Sequence, residues 1–198
     1  GAHCLATVNA LMLDKHTLFI ADTYINDDPD ALQLSEIAQM AAKVVHRFGL
    51  PPKVAFLSHS NYGSSSRPSA RKMREARDLF AAAAPDIECD GELHGDAALS
   101  ESIREHSLLD STLHGSANVL ICPNLDAANI GYNLIRVATG GVAIGPILMG
   151  LDQPAHILTP ASSSRRVVNM TAIAAVDAQI RQQQREAETA HRKALRGG

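Results

Sequence analysis

Apolar residues recur along this chain with two alternating periods. Short runs rich in Val, Ile, Leu and Ala fall at Leu5–Leu13, Thr17–Ala21, Lys53–Ser58, Asp86–Leu93, Asn118–Cys122, Val142–Leu148 and Ala155–Thr159, and read as strands. Longer stretches with helical spacing lie near 29–48, 68–83, 97–106, 126–138 and 166–194. That order predicts an α/β fold with much of its sheet parallel, because parallel strands need a crossover helix between them. The first helix is the best specified: Leu34, Ile37, Ala38, Ala41, Val44, Val45 and Phe48 form one apolar face. Asp28 is placed to cap it, Pro29 suits its first turn, and Gly49 with Pro51 and Pro52 ends it. The helix after Asn124 and Asp126 is expected to bury Ile130, Leu134, Ile135 and Val137. The last helix begins apolar, with Val167, Val168, Met170, Ile173, Ala174 and Ile180, and ends as a polar, solvated segment.

Composition narrows the possibilities. With 198 residues, 45% of them hydrophobic and 20% charged, the chain can bury a sizeable core without disulfide or metal staples. A net charge of -3 gives no electrostatic footprint for nucleic acid or for a membrane surface. No run approaches the roughly 18 apolar residues of a membrane span. The nearest, Val142 to Leu151, is broken by Gly145 and Pro146. No basic segment followed by an apolar stretch marks a signal peptide. Cys4, Cys89 and Cys122 are odd in number and widely spaced, which reads as buried thiols in a reducing cytoplasm. The chain opens Gly-Ala-His without Met, as an excised piece of a longer protein would.

Four segments carry candidate chemistry, each at the end of an expected strand. Ser58-His59-Ser60-Asn61-Tyr62-Gly63-Ser64-Ser65-Ser66 offers small hydroxyl residues and a glycine whose backbone N–H groups can turn toward an anion. Arg67, Arg71 and Lys72 follow closely; an ordinary loop is the alternative. In Asp90-Gly91-Glu92-Leu93-His94, strand alternation puts two carboxylates and a histidine on one side. These are candidates for metal or acid–base work, with a structural polar network as the default and no metal assigned. At Asn124–Asn133, capping explains Asn124 and Asp126, whereas Gly131 inside a helix costs about 1 kcal/mol relative to Ala and needs another reason. His156–Arg166 is again hydroxyl-rich, with Arg165 and Arg166 at a helix entry. Three such junctions on one α/β scaffold suggest a shared ligand edge at the carboxyl ends of parallel strands. No GxGxxG, HExxH or GxSxG motif is present.

In this order the segments resemble the phosphate acetyltransferase family. The resemblance rests on Val54–Ser58 with Gly63-Ser64, Asp90-Gly91-Glu92-Leu93 leading to Asp96–Leu99, Ala117–Asp126, Asn129-Ile130-Gly131-Tyr132 and Ile144–Leu148. It covers roughly residues 5 to 180. It implies an α/β fold of the phosphate acetyltransferase-like (isocitrate/isopropylmalate dehydrogenase-like) kind. We expect one lobe over 1–140, and a part over 141–198 that completes or joins a second. The family's Asp-Leu-Ser-Arg-Gly-Cys run falls at Ile157-Leu158-Thr159-Pro160-Ala161-Ser162. Its coenzyme A-deprotonating aspartate falls at Arg166, and its Gly-Tyr-Lys lysine at Asn133. Thr159, Pro160 and Arg166 are therefore degenerate catalytic positions.

The altered run is similar to that in the C-terminal domain of bacterial NADP-dependent malic enzymes, oxidoreductases that convert malate to pyruvate. That resemblance implies a catalytically degenerate regulatory and oligomerisation domain in a cytoplasmic homo-oligomer. Its expected partner is acetyl-CoA as allosteric effector, or a related phosphorylated small molecule. NADP and a divalent metal would belong to malic and NAD(P)-binding domains outside this chain. Ser58, Ser60, Asn61, Gly63 and Ser64 are the expected anion-facing groups. Asn129 and Tyr132 are expected at the cleft edge, and Ser162, Arg165 and Arg166 at the degenerate corner. An active phosphate acetyltransferase is the alternative.

Overall fold

In a computed structural model, residues 4–107, 111–158, 160 and 162–196 are described. They form two units, Gly1–Gly150 and Leu151–Gly198. The first is built on a six-stranded sheet. Its strands are β1 (Ala6–Met12), β2 (Thr17–Ala21), β3 (Lys53–Leu57), β4 (Glu88–Leu93), β5 (Val119–Ile121) and β6 (Val142–Met149), in the order β4-β3-β5-β2-β1-β6. The pairings β4–β3, β3–β5 and β5–β2 are parallel; β1 runs antiparallel to both β2 and β6. The expected parallel sheet is therefore present, extended on one side by a hairpin and a returning strand. The first unit extends to Gly150, and within it β6 hydrogen-bonds to β1.

Helices cover both faces of this sheet. They are α1 (Ala31–Arg47), α2 (Pro68–Ala83), α3 (Gly95–Leu99), α4 (Glu101–Ser107) and α5 (Leu125–Thr139). Strand alternation sends Phe19 and Phe56 to one side, where Phe19 meets Phe48 edge-on at 5.2 Å and Phe56 meets Phe80 of α2 at 5.8 Å. Leu18, Ile20, Ala55 and Leu120 point to the other side and pack with Ala97, Ala98, Ala128 and Tyr132. The single helix expected over 97–106 is two, broken where Ser100 turns extended.

Three further expectations change. The cap of α1 is Asp30, not Asp28: Asp30 accepts from the Gln33 N–H and the Gln33 side chain accepts from the Asp30 N–H. Asp28 lies two residues too early to reach those amides. The face of α5 is also rotated. Ile130, Leu134 and Val137 are 57%, 66% and 76% exposed, while Ala128 and Tyr132 are buried. Helical spacing allows either stripe inward, and the pair that meets Leu18, Ile20 and Leu120 is 128/132. Finally, Ala155–Leu158 form no strand, and Thr159 lies outside the described residues. Ile157 and Leu158 are exposed, without the neighbouring ladder that a strand requires.

In the second unit, α6 (Ser164–Arg196) is the one helix among the described residues. Ser163 caps it, accepting from the Arg166 N–H at 3.3 Å. No helix among the described residues is long and apolar enough to cross a membrane.

Candidate functional site

The crossover helices choose opposite faces of the sheet at one place. After β3 the chain passes to α2 on the Phe56 side, and after the adjacent β5 it passes to α5 on the Leu120 side. Two neighbouring parallel strands whose connections diverge leave a crevice beyond their carboxyl ends. A cleft of about 710 Å³ lies there. Leu57, Ser58 and His59 line it at the end of β3, Pro68, Ser69 and Lys72 from α2, and Cys122, Pro123 and Asn124 from the segment after β5, with Asp28 at its rim. The Asn124 side chain caps α5 through the Ala127 N–H at 2.9 Å, as the sequence suggests. Burial pushes the Cys122 thiol up to about 12, so this cysteine stays protonated and is no nucleophile at neutral pH.

The Ser58–Ser66 loop does wrap an anion, and that anion belongs to the chain itself. Glu92, fully buried on β4, accepts from Ser60 Oγ at 2.8 Å and from the Gly63 N–H at 2.9 Å. Arg74, reaching in from α2, donates Nε at 2.8 Å and a second guanidinium N–H at 2.9 Å. Burial alone would raise the Glu92 carboxyl, but these donors outweigh it and hold the group down at about 2. Ser64 Oγ lies 2.9 Å from Ser60 Oγ and accepts from the Asn61 N–H. Ser60 and Gly63 thus face Glu92 with Ser64 behind Ser60, and Asn61 Oδ1 accepts from the His94 N–H at 2.6 Å.

Two of the segments singled out in the sequence are therefore one structure. Asp90 accepts from Tyr62 Oη at 3.1 Å and from Ser111 Oγ at 2.7 Å. His94 Nε2 lies 2.9 Å from the His59 carbonyl. Asp90, Glu92 and His94 thus all anchor the loop, as a structural polar network does. Burial and then the Asp90 charge push the Tyr62 hydroxyl up, keeping it a donor. Gly91 is required beneath this network: its φ is +153°, and a Cβ there would stand 2.7 Å from Phe56 Cβ. Among the described residues, no group of three or more His, Cys, Asp or Glu is placed to hold a metal ion.

The remaining predicted residues divide. Asn129 donates to the Thr23 carbonyl at 3.2 Å and thereby ties α5 to the loop after β2. Tyr132, expected at the cleft edge, is 4% exposed and packs in the core, with Arg136 over its ring at 5.7 Å. Its position, two turns into α5 on the sheet-facing stripe, carries it inward. Asn133 donates to Asn129. Ser162, Arg165 and Arg166 lie at the entry of α6 in the second unit, next to Pro160.

Sequence reasoning missed the loop that follows β2. Asp22 is buried and accepts from the N–H groups of Thr7, Tyr24 and Asn26 at 3.0–3.1 Å. The Leu125 N–H donates to the Asp27 carbonyl at 3.0 Å. This folded loop carries Asp28 to the cleft rim, where it pairs with Lys72 Nζ at 2.5 Å. An Asp-Thr pair just past a strand is a turn signal, but nothing local says what it carries.

The comparisons with known proteins agree with this architecture. The family model for phosphate acetyl/butaryl transferase matches residues 1–175. The NADP-dependent malic enzyme of Escherichia coli (strain K12) is 56% identical over 180 residues, 90% of this chain and 24% of that protein. The chain thus spans about a quarter of the length of that relative, whose C-terminal part it resembles. The phosphate acetyltransferase of Paracoccus denitrificans is 44% identical over 160 residues, 80% of this chain and 50% of that protein. Among solved structures, the EutD phosphotransacetylase from Staphylococcus aureus matches with a TM-score of 0.86 at 34% identity, over 90% of this chain and 55% of that one. With the family model covering most of its length, the chain belongs to the phosphate acetyl/butaryl transferase family.

Proposed function

We propose that the chain is the acetyltransferase-like, non-catalytic domain of a malic enzyme, and that it binds acetyl-CoA as an effector in the cleft beyond β3 and β5. One observation carries this reading: Pro160, Arg166 and Asn133 stand where the resemblance assigns acetyl transfer an arginine, an aspartate and a lysine. Transfer of acetyl between coenzyme A and phosphate needs a base for the thiol and a cation for the developing oxyanion. Arg166 stays protonated at any working pH, and Pro160 carries no charge. Each such group contributes a factor of roughly 100 or more, so losing three leaves little turnover.

Binding makes smaller demands. The cleft joins an ammonium group, hydroxyl side chains and an apolar floor that includes Leu57 and Ala127, a composition suited to a phosphorylated ligand with an acyl end. In the full-length protein, malate oxidation with NADP and a divalent metal would fall to the other modules. This domain would transmit the acetyl-CoA signal to them and help assemble a homo-oligomer. A second reading, an active phosphate acetyltransferase, is favoured by the 44% identity with the Paracoccus enzyme.

The test mixes acetyl phosphate and coenzyme A with the purified chain and follows thioester formation, while equilibrium dialysis measures acetyl-CoA retention. The proposal expects retention with no thioester formed above the protein-free rate. Thioester formation proportional to protein concentration would overturn it in favour of the second reading.

A further inference from the structure

Lys72 is the one Lys or Arg among the described residues lining the cleft, and it is already engaged. Its Nζ donates to the Pro123 carbonyl at 2.8 Å and pairs with Asp28 Oδ1 at 2.5 Å. The two acceptors differ in kind. Pro123 offers a fixed neutral oxygen on the segment between β5 and α5, which aims the ammonium across the crevice. Asp28 brings a charge from a separate loop, 44 residues away in sequence. The Lys72 side chain is 19% exposed and the Asp28 side chain 78%. The aspartate can therefore swing into water at little cost, while the lysine stays in place. The other anion-binding element nearby, the Ser60–Gly63 nest, is filled by Glu92.

We propose that Lys72 is the anion anchor of the cleft and that Asp28 is a built-in competitor, displaced when a phosphate or pyrophosphate group binds. The proposal rests on the reading of this cleft as the effector site, and adds the contact that sets its affinity. An exposed ion pair is weak, so its rupture lowers affinity by a factor of only about two to five. The lysine's charge-assisted bond to the ligand is stronger, worth roughly a factor of ten or more. Asp28 therefore tunes binding and Lys72 determines it.

The test titrates the 198-residue chain by calorimetry with two probes, acetyl-CoA and inorganic pyrophosphate. It uses the wild type, Asp28→Asn, Lys72→Gln and Lys72→Arg. We expect Asp28→Asn to tighten binding of both probes about two- to fivefold and Lys72→Gln to weaken it tenfold or more, with Lys72→Arg near the wild type. Asp28 is exposed, so its variant remains informative even if Lys72→Gln folds poorly. If the wild type binds acetyl-CoA and Asp28→Asn and Lys72→Gln leave its affinity unchanged, the competitor model is wrong and the effector reading stands. If pyrophosphate binds in a Lys72-dependent way, tightened by Asp28→Asn, and acetyl-CoA does not bind, the effector reading is wrong and the anion anchor stands. If neither probe binds, even to Asp28→Asn, both are overturned.

Discussion

Replacing Glu92 with Gln removes the charge on which Ser60, Gly63 and Arg74 converge, and leaves the shape of the side chain nearly intact. The carboxyl is held at about 2 against an ordinary 4.5, a difference of about 3 kcal/mol between the folded and unfolded chains. Arg74 is about a third exposed, so solvent screening trims the figure to about 2–3 kcal/mol. Because the folded carboxyl titrates below the unfolded one, this contribution is complete above about pH 4.5. It is lost as pH falls toward 2. Urea unfolding of the wild type and of Glu92→Gln at pH 7 and pH 3 isolates it, since other groups titrate alike in both proteins. The variant should be less stable by about 2–3 kcal/mol at pH 7 and by only about 1 kcal/mol at pH 3. Equal stabilities at pH 7, or a gap that stays constant between the two pH values, would refute the assignment of Glu92 as the ionised centre of the loop.

Two other substitutions separate packing from conformation. Gly91→Ala should destabilise the chain by about 3 kcal/mol or more, because the added Cβ meets Phe56 at 2.7 Å on a backbone that L-residues rarely adopt. Thermal melting reads this directly, and an unchanged midpoint would contradict the close approach of β4 to β3. Gly131→Ala should do the opposite, raising stability by about 0.5–1 kcal/mol, since a Cβ at that position meets nothing within 4 Å. A loss of stability there would show that another group fills that space in the folded chain.

Periodicity and punctuation made most of the elements legible. Helical spacing places α2 over 68–83, as found, and the alternating order of elements implies the parallel strands. What stayed hidden depends on distance in space. The Ser/Gly loop reads as an anion nest from its own residues, but its occupant lies 29 to 32 positions away at Glu92, and Arg74 answers from a third element. Asp28 reads as a helix cap because the next helix is close in sequence, whereas Lys72, its partner, is reachable only once β3 and β5 are neighbours. On α5, apolar residues lie on two sides of one helix, so spacing alone left the buried side undetermined; contact with Leu18 and Leu120 decides it for Tyr132. Ala155–Leu158 shows the converse: a strand-like run remains coil without a ladder to join.

The proposed role requires that this domain bind acetyl-CoA without turning it over. Calorimetric titration with acetyl-CoA, once in plain buffer and once with inorganic phosphate present, tests it most directly. Binding without turnover gives one saturable heat, similar in both buffers, and no signal after saturation. Sustained heat that requires phosphate would mean that acetyl transfer proceeds without the groups missing at Asn133, Pro160 and Arg166, and would overturn the non-catalytic role.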